Sequence, residues 1–405
     1  MTASPQTDRG AAAVQLLCAM YPAPLRVVVA PEPSHATRAA WVALPRASDP
    51  RLLLTAGTPR ASAQVLRRQL TGQRPRTRLA RAVLGLALTT GLPGRLRPLR
   101  LEVQGPLSAP SIEDPLREVL GVAELLLTMP IGPARANRKP VLQVTDPAGT
   151  VLAFAKVGHN RLTRELVRHE AASLGSVGDL RLRGVRAPRV LGHVTWRDLE
   201  LLVLEPLRVP TRRLTGAAAR RRLEDVVRAV SSLDARPATA WRDHPHRARL
   251  RGALAECGDA ADVLQQQLER LCPDAVLEVA AWHGDLNSGN IALVRSACAT
   301  WDWERFADGV PAGFDLLHHD LHEDITVRER PPREAAEQLL ADAPDLLRPF
   351  GVDNGAAEVT AHAYLLTLAH RYLVDDQEGA GADLGRVREW LIPALQAHEP
   401  AGAGR

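Results

Sequence analysis

The sequence predicts an α+β chain in which strands dominate up to about residue 207 and helices dominate after it. Three observations carry this expectation. Apolar runs at 123–129, 140–145, 150–157, 189–196 and 199–204 have strand length. Turn formers separate them, among them Asp146-Pro147-Ala148-Gly149, whose residues suit a hairpin turn. The stretch from about Arg161 to Leu174 instead sets Leu162, Leu166, Val167 and Leu174 on one helical face. After Pro210 helical patterns run through most of the chain, broken by one hairpin-like stretch at 290–303.

The elements divide the 405 residues into three expected parts. Residues 1–115 form an N-terminal extension of unknown role, 116–207 a strand-rich part and 208–398 a helical part. In the extension, 40–44 and 51–55 are short strands that suit a hairpin. Two helical segments follow within 61–88, the second setting Arg76, Arg78 and Arg81 beside Leu79, Val83, Leu84 and Leu88. A basic amphipathic helix can lie on an anionic membrane surface, so peripheral membrane contact through 76–88 is one reading. Packing against the neighbouring lobe is the commoner one. Ser111 is placed to cap a short helix, and the tail 399–405 is expected to be disordered.

Composition excludes several classes. No apolar run reaches membrane-spanning length, and residues 1–10 lack both the apolar stretch and the cleavage site of a secretory leader, so a cytoplasmic location is expected. Cys18, Cys257, Cys272 and Cys298 are scattered and never form a CxxC pair, which argues against a zinc site and a disulfide framework. The net charge of +5 is too small to suggest a nucleic-acid partner. Nearly all the positive charge is Arg, with Lys139 and Lys156 the only lysines. A lysine surviving in such a background marks a position that needs a compact ammonium.

The chemistry concentrates in Trp282-His283-Gly284-Asp285-Leu286-Asn287-Ser288-Gly289-Asn290, followed by Trp301-Asp302-Trp303-Glu304. Phosphoryl transfer needs a carboxylate to orient and deprotonate an attacking hydroxyl, and further oxygen donors for the Mg²⁺ that bridges nucleotide phosphates. Asp285 and Asn290 on one tight loop, with Asp302 at a following strand end, have those residue types. The bland alternative is a pair of turns, since Asp, Asn and Gly favour turns anyway. Their pairing at this spacing favours chemistry.

The His283-Gly284-Asp285…Asn290 loop and the Asp302-Trp303-Glu304 segment resemble those of aminoglycoside phosphotransferases and their choline-kinase-like relatives. The resemblance covers about 123–320. It implies a bilobal protein kinase-like fold, with a small antiparallel-sheet lobe binding ATP or GTP and a larger helical lobe carrying the catalytic and substrate sites. It also implies Asp285 as catalytic base, Asn290 and Asp302 as Mg²⁺ ligands, and His283 as a supporting loop residue. Many members carry His-Pro where this chain has Asn287-Ser288, a departure that leaves the base and metal ligands in place.

Lys156 sits on the third strand of the strand-rich part, where the resemblance implies a phosphate-binding lysine. Glu170 falls in the middle of the apolar stripe of the 161–174 helix, whereas Glu165 points away. An inward carboxylate without a partner costs several kcal/mol, so a cation must meet it, and Lys156 is the candidate. The segment 130–139 has no glycine-rich G-x-G-x-x-G pattern, which leaves backbone amides, Arg135 or Arg138 to cover phosphates. Leu204-Glu205-Pro206-Leu207 is the expected interlobe hinge, where backbone groups of Glu205 and Leu207 face a purine. Gly313-Phe314-Asp315-Leu316 places Asp315 as a helix cap behind the catalytic loop.

For the acceptor, the sequence reaches only a hydroxyl-bearing small molecule. The polar cluster His318, His319, Asp320, His322, Glu323 and Asp324 could suit a cationic acceptor, but a solvated helix face is the plainer expectation. The competing function is a nucleotide-binding scaffold of weak or no activity, motivated by the unusual 130–139 loop.

Overall fold

The computed structural model describes residues 9–30, 37–45, 50–55, 100–132, 136–179, 182, 184–209 and 213–398. The helical segments expected within 61–88, the 76–88 face, Arg135 and the 399–405 tail lie outside the described residues. The chain divides into two compact units, Met1–Ala171 with Arg189–Thr211, and Ala172–Pro188 with Arg212–Arg405.

In chain order, the first unit holds α1 (Arg9–Met20), β1 (Arg26–Ala30), β2 (Thr37–Pro45), β3 (Pro50–Thr55) and β4 (Arg100–Gln104). Next come α2 (Glu113–Leu120), β5 (Leu126–Pro130), β6 (Val141–Thr145) and β7 (Val151–Gly158). The helix α3 (Arg161–Asp179) and the short β8 (Val185–Arg186), a strand of the second unit, lead into β9 (Val190–Trp196) and β10 (Leu199–Leu204). Apart from β8, these strands form one nine-stranded sheet in the order β1-β4-β2-β3-β5-β6-β7-β10-β9, every pair antiparallel. The expected hairpin is β2–β3, with Val42 opposite Leu54 and Ala43 opposite Leu53. β3 also pairs with β5, so the strands of the first hundred residues extend the sheet that β5, β6 and β7 belong to.

Alternation along β7 sorts its side chains between the two sheet faces. Ala153, Ala155 and Val157 join the buried cluster with Leu17 of α1 and Leu116 of α2. Lys156 takes the opposite face. The cluster includes Trp41, whose indole N–H donates to the Tyr21 hydroxyl at 3.2 Å, and that hydroxyl donates to the buried Glu113 carboxylate.

The second unit continues with α4 (Gly216–Ser231), β11 (Arg236–Ala240), α5 (Pro245–Leu254) and α6 (Ala261–Glu269). β12 (Val276–Trp282), β13 (Ile291–Ala292), β14 (Cys298–Thr300) and β15 (Ala307–Pro311) precede α7 (Phe314–Thr326), α8 (Pro332–Leu347), α9 (Asn354–Val374) and α10 (Val387–Ala397). The β13–β14 hairpin fulfils the expectation for 290–303. A three-stranded sheet, β11-β12-β15, corrects the expectation that the hairpin is the one break in the helical half. Leu277 and the run Val279–Trp282 are buried, so β12 lacks the regular polar alternation that marks a half-exposed strand.

The α+β organisation expected from the sequence, an antiparallel-sheet unit and a mainly helical one, is the organisation observed. Among the described residues no helix is long and apolar enough to cross a membrane.

Candidate active site

In the first unit, β7 and α3 bring together the two residues singled out from opposite arguments. The Lys156 ammonium lies 2.6 Å from each carboxylate oxygen of Glu170. Glu170 is fully buried and Lys156 is 7% exposed. Such a pair fixes the lysine's direction, because rotation would pull the ammonium away from a desolvated carboxylate. Thr163 anchors the start of α3, its N–H donating to Asn160 Oδ1 at 2.8 Å and its hydroxyl accepting from the N–H groups of His159 and Asn160 at 3.0 Å each.

The loop and strand-end candidates of this unit are less developed. Arg138 folds its guanidinium back onto the Gly132 and Pro130 carbonyls of its own loop. After β10, the Glu205 N–H donates to the Arg189 carbonyl at 3.0 Å and the Glu205 side chain pairs with Arg189 at 2.7 Å. Leu207 is half-buried three residues beyond the strand.

In the second unit, β12 delivers His283, Gly284 and Asp285 at its C-terminal end, beside β15. Gly284 sits at φ 83°, and a Cβ there would meet the Arg305 carbonyl oxygen at 2.0 Å, so only glycine fits the turn. Behind it, the buried Asp315 carboxylate accepts the N–H groups of His283 at 2.7 Å and Gly284 at 3.1 Å. Asp315 buttresses the loop as expected, but as the second residue of α7; Gly313, at φ 97°, occupies the N-cap. Burial pushes the Asp315 carboxyl up to about 7, against the pull of the two N–H donors and Arg371. Arg371 of α9 donates to the Gly284 carbonyl at 2.7 Å and stacks over Trp282 at 5.1 Å.

Among the described residues, three side-chain donors meet the Asp285 carboxylate. Asn287 Nδ2 and His318 Nε2 each lie 3.0 Å from Oδ1, and Asn290 Nδ2 lies 2.8 Å from Oδ2. Burial alone would raise its pKa. The His318 hydrogen bond and the nearby Arg371 guanidinium outweigh it and hold the carboxyl well below the usual carboxylate range. Asp285 keeps 31% of its side chain exposed, so an incoming molecule can reach it. His283 is a supporting residue: its Nδ1 accepts the Asp285 N–H at 3.3 Å, its ring packs 4.5 Å from Trp303, and burial lowers its pKa to about 4.

The β13–β14 hairpin sets Asn290 opposite Trp301, the residue before Asp302, through the Trp301 N–H donated to the Asn290 carbonyl at 3.1 Å. Asp302 follows in the left-handed region at φ 73°. The Asp285 oxygens are acceptors, so the Asn290 amide must turn its nitrogen to them and its oxygen elsewhere. A hard amide oxygen and a carboxylate suit Mg²⁺, which prefers oxygen ligands.

The cluster expected to be a solvated helix face is corrected. His318 is 4% exposed and Asp324 8%, and Asp320 forms a two-pronged ion pair with Arg220 at 2.7 Å from each oxygen. His318 Nδ1 lies 3.0 Å from the Tyr364 hydroxyl. Of the residues around Asp285, His318 stood out in the sequence only as part of that polar cluster, and Tyr364 and Arg371 carried no local signal.

No family model matches the chain, and no curated protein matches it. Among solved structures, it is similar to a thermostable mutant of aminoglycoside phosphotransferase APH(4)-Ia in complex with ADP and hygromycin B, at 15% identity and TM-score 0.44, over 73% of this chain and 100% of that one. A chain described as a fructosamine-3-kinase, from Haemophilus somnus 129PT, matches at 15% identity and TM-score 0.42, over 69% and 95%. Spectinomycin phosphotransferase APH(9)-Ia, in complex with ADP and spectinomycin, matches at 13% identity and TM-score 0.40, over 70% and 92%.

Proposed function

We propose that this chain is a phosphotransferase that moves the γ-phosphoryl group of ATP or GTP to a hydroxyl of a small molecule. The observation that carries this reading is Asp285: a carboxylate kept ionised, partly open, and fixed by donors on both oxygens. A base of that kind orients a hydroxyl and takes its proton as the new bond to phosphorus forms. The bond from the γ-phosphorus to the bridging oxygen breaks, the nucleoside diphosphate leaves with that electron pair, and the proton rests on Asp285.

Lys156, directed by Glu170, would hold the nucleotide's phosphates, and the backbone of Glu205 and Leu207 would meet the purine edge. Because the Glu205 N–H is already donated to Arg189, its carbonyl is the group assigned to the purine. Asn290 and Asp302 would hold Mg²⁺, which when bound neutralises charge on the phosphate oxygens. In this reading 116–207 is the nucleotide-binding part, 208–398 the catalytic and substrate part, and the acceptor is unspecified beyond its hydroxyl.

The test is an acceptor screen that follows ADP and GDP release across sugars, aminocyclitols, amino alcohols and nucleosides. The reading expects acceptor-dependent release that requires Mg²⁺. Nucleotide binding without release under any acceptor contradicts it and favours the scaffold reading, which the folding back of Arg138 onto its own loop would suit.

A further inference from the structure

Two of the three donors on Asp285 travel with its own loop. Asn287 and Asn290 are two and five residues along the chain, so they shape the carboxylate but move when the loop moves. His318 is different: it is 33 residues away, on α7, and is itself held by Tyr364, a further 46 residues away on α9. Tyr364 is fully buried and packs edge-on against Phe314 and Trp282, with ring centroids 5.8 and 6.5 Å away. The far end of the contact is thus set in the helical core.

The geometry points to His318 as a positioning residue for Asp285: with Tyr364 fixing its tautomer, its Nε2–H pins Oδ1 and leaves Oδ2 as the oxygen that meets the acceptor hydroxyl. This inference rests on the phosphotransferase reading of Asp285 and deepens it.

The tautomer follows from the partners. Burial pulls the His318 imidazole down in pKa, with Asp285 pulling the other way, so the ring is neutral near pH 7 and carries one proton. Nε2 lies 3.0 Å from a carboxylate oxygen that already accepts from Asn287, and Nδ1 lies 3.0 Å from a hydroxyl that can donate, so that proton sits on Nε2. Nδ1 is then bare and accepts from the Tyr364 hydroxyl, which keeps its proton because burial raises its pKa well above the ordinary value. The hydrogen bonds run one way, from Tyr364 O–H to Nδ1 and from Nε2–H to Oδ1.

The choice of oxygen is a count. Each carboxylate oxygen has about two lone-pair directions. Among the described residues, Oδ1 accepts from both Asn287 and His318, whereas Oδ2 accepts from one side chain, Asn290. Oδ2 therefore keeps a direction for an incoming hydroxyl. Without His318, the carboxylate could turn about its Cβ–Cγ bond and present either oxygen at the wrong angle, which slows the chemical step more than it weakens nucleotide binding.

Two measurements on the full-length chain test this. In the first, ¹⁵N-histidine-labelled protein at neutral pH is read by two-bond ¹H–¹⁵N correlation, with the His318 signal assigned by its loss in His318→Gln. A neutral Nε2–H ring supports the inference; an Nδ1–H ring or an imidazolium overturns it. In the second, ADP release from Mg²⁺-ATP is followed with water as acceptor, or with any acceptor the screen yields. His318→Leu should lower kcat about 10- to 100-fold with the KM for ATP unchanged, the loss expected for one hydrogen bond to a charged group. His318→Gln, which keeps an amide donor at the same reach, should recover most of that loss, and Tyr364→Phe should lower kcat about 3- to 10-fold. His318→Leu at wild-type kcat overturns the positioning role while the phosphotransferase reading stands. A wild-type chain that releases no ADP under any acceptor overturns the phosphotransferase reading and the role with it.

Discussion

At the scale of single residues, the Lys156–Glu170 pair makes the sharpest demand on energetics. Both groups are desolvated, so deleting one removes the closest counter-charge of the other. Glu170→Ala should cost about 3–5 kcal/mol in unfolding free energy by chemical denaturation, and Lys156→Met with Glu170→Met should recover most of it. A single substitution costing under about 1 kcal/mol would show that the pair is not desolvated. The position of Glu170 was legible because helical periodicity alone puts it among Leu162, Leu166, Val167 and Leu174. Asp285, Asn290 and Asp302 could be singled out as candidates because two segments with these residue types are paired at a short spacing that turns alone do not require. His318 and Tyr364 were not, because the contacts that give them meaning span 33 and 46 residues.

At the scale of elements, the site depends on how β12 hands its chain to α7. β12 pairs with β15, and β15 leads through Gly313 into the helix whose Asp315 binds the two N–H groups at the end of β12. The turn closes only because Gly284 has no side chain. Gly284→Ala should destabilise the chain by at least about 2 kcal/mol, combining left-handed strain with the clash against the Arg305 carbonyl, and should lower turnover through displacement of Asp285. A Gly284→Ala chain of unchanged stability and turnover would contradict this geometry. Strand periodicity located β5, β6, β7, β9 and β10 to within a few residues. It missed β12, because a strand buried on both faces reads as a plain apolar run that a helix could also produce.

At the scale of the whole molecule, stability should follow its buried histidines. Burial lowers His244 to about 4, His246 to about 3 and His283 to about 4, and it also lowers His318 and His362, all from an ordinary 6.5. For each, the unfolded chain binds the proton more tightly than the folded one. Their contribution is complete above about pH 6.5 and is lost as pH falls towards 4. Asp315 has the opposite sign: its folded pKa is raised from 3.8 to about 7, so its contribution is complete below about pH 4 and is lost as pH rises. The histidines outnumber it. Unfolding free energy measured without nucleotide should fall from pH 7 to pH 5 with a slope of about 1–3 kcal/mol per pH unit, and a flat or rising profile would contradict the burial of these rings.

Under the proposed function Asp285 takes the proton of the acceptor hydroxyl, and Asp285→Asn tests that most directly, since the change removes the carboxylate and keeps the shape. With Mg²⁺-ATP and an accepted substrate, kcat should fall about 10²- to 10⁴-fold while ATP affinity, measured by calorimetry, stays within a few-fold of wild type. Wild-type turnover in Asp285→Asn would remove Asp285 from the chemistry.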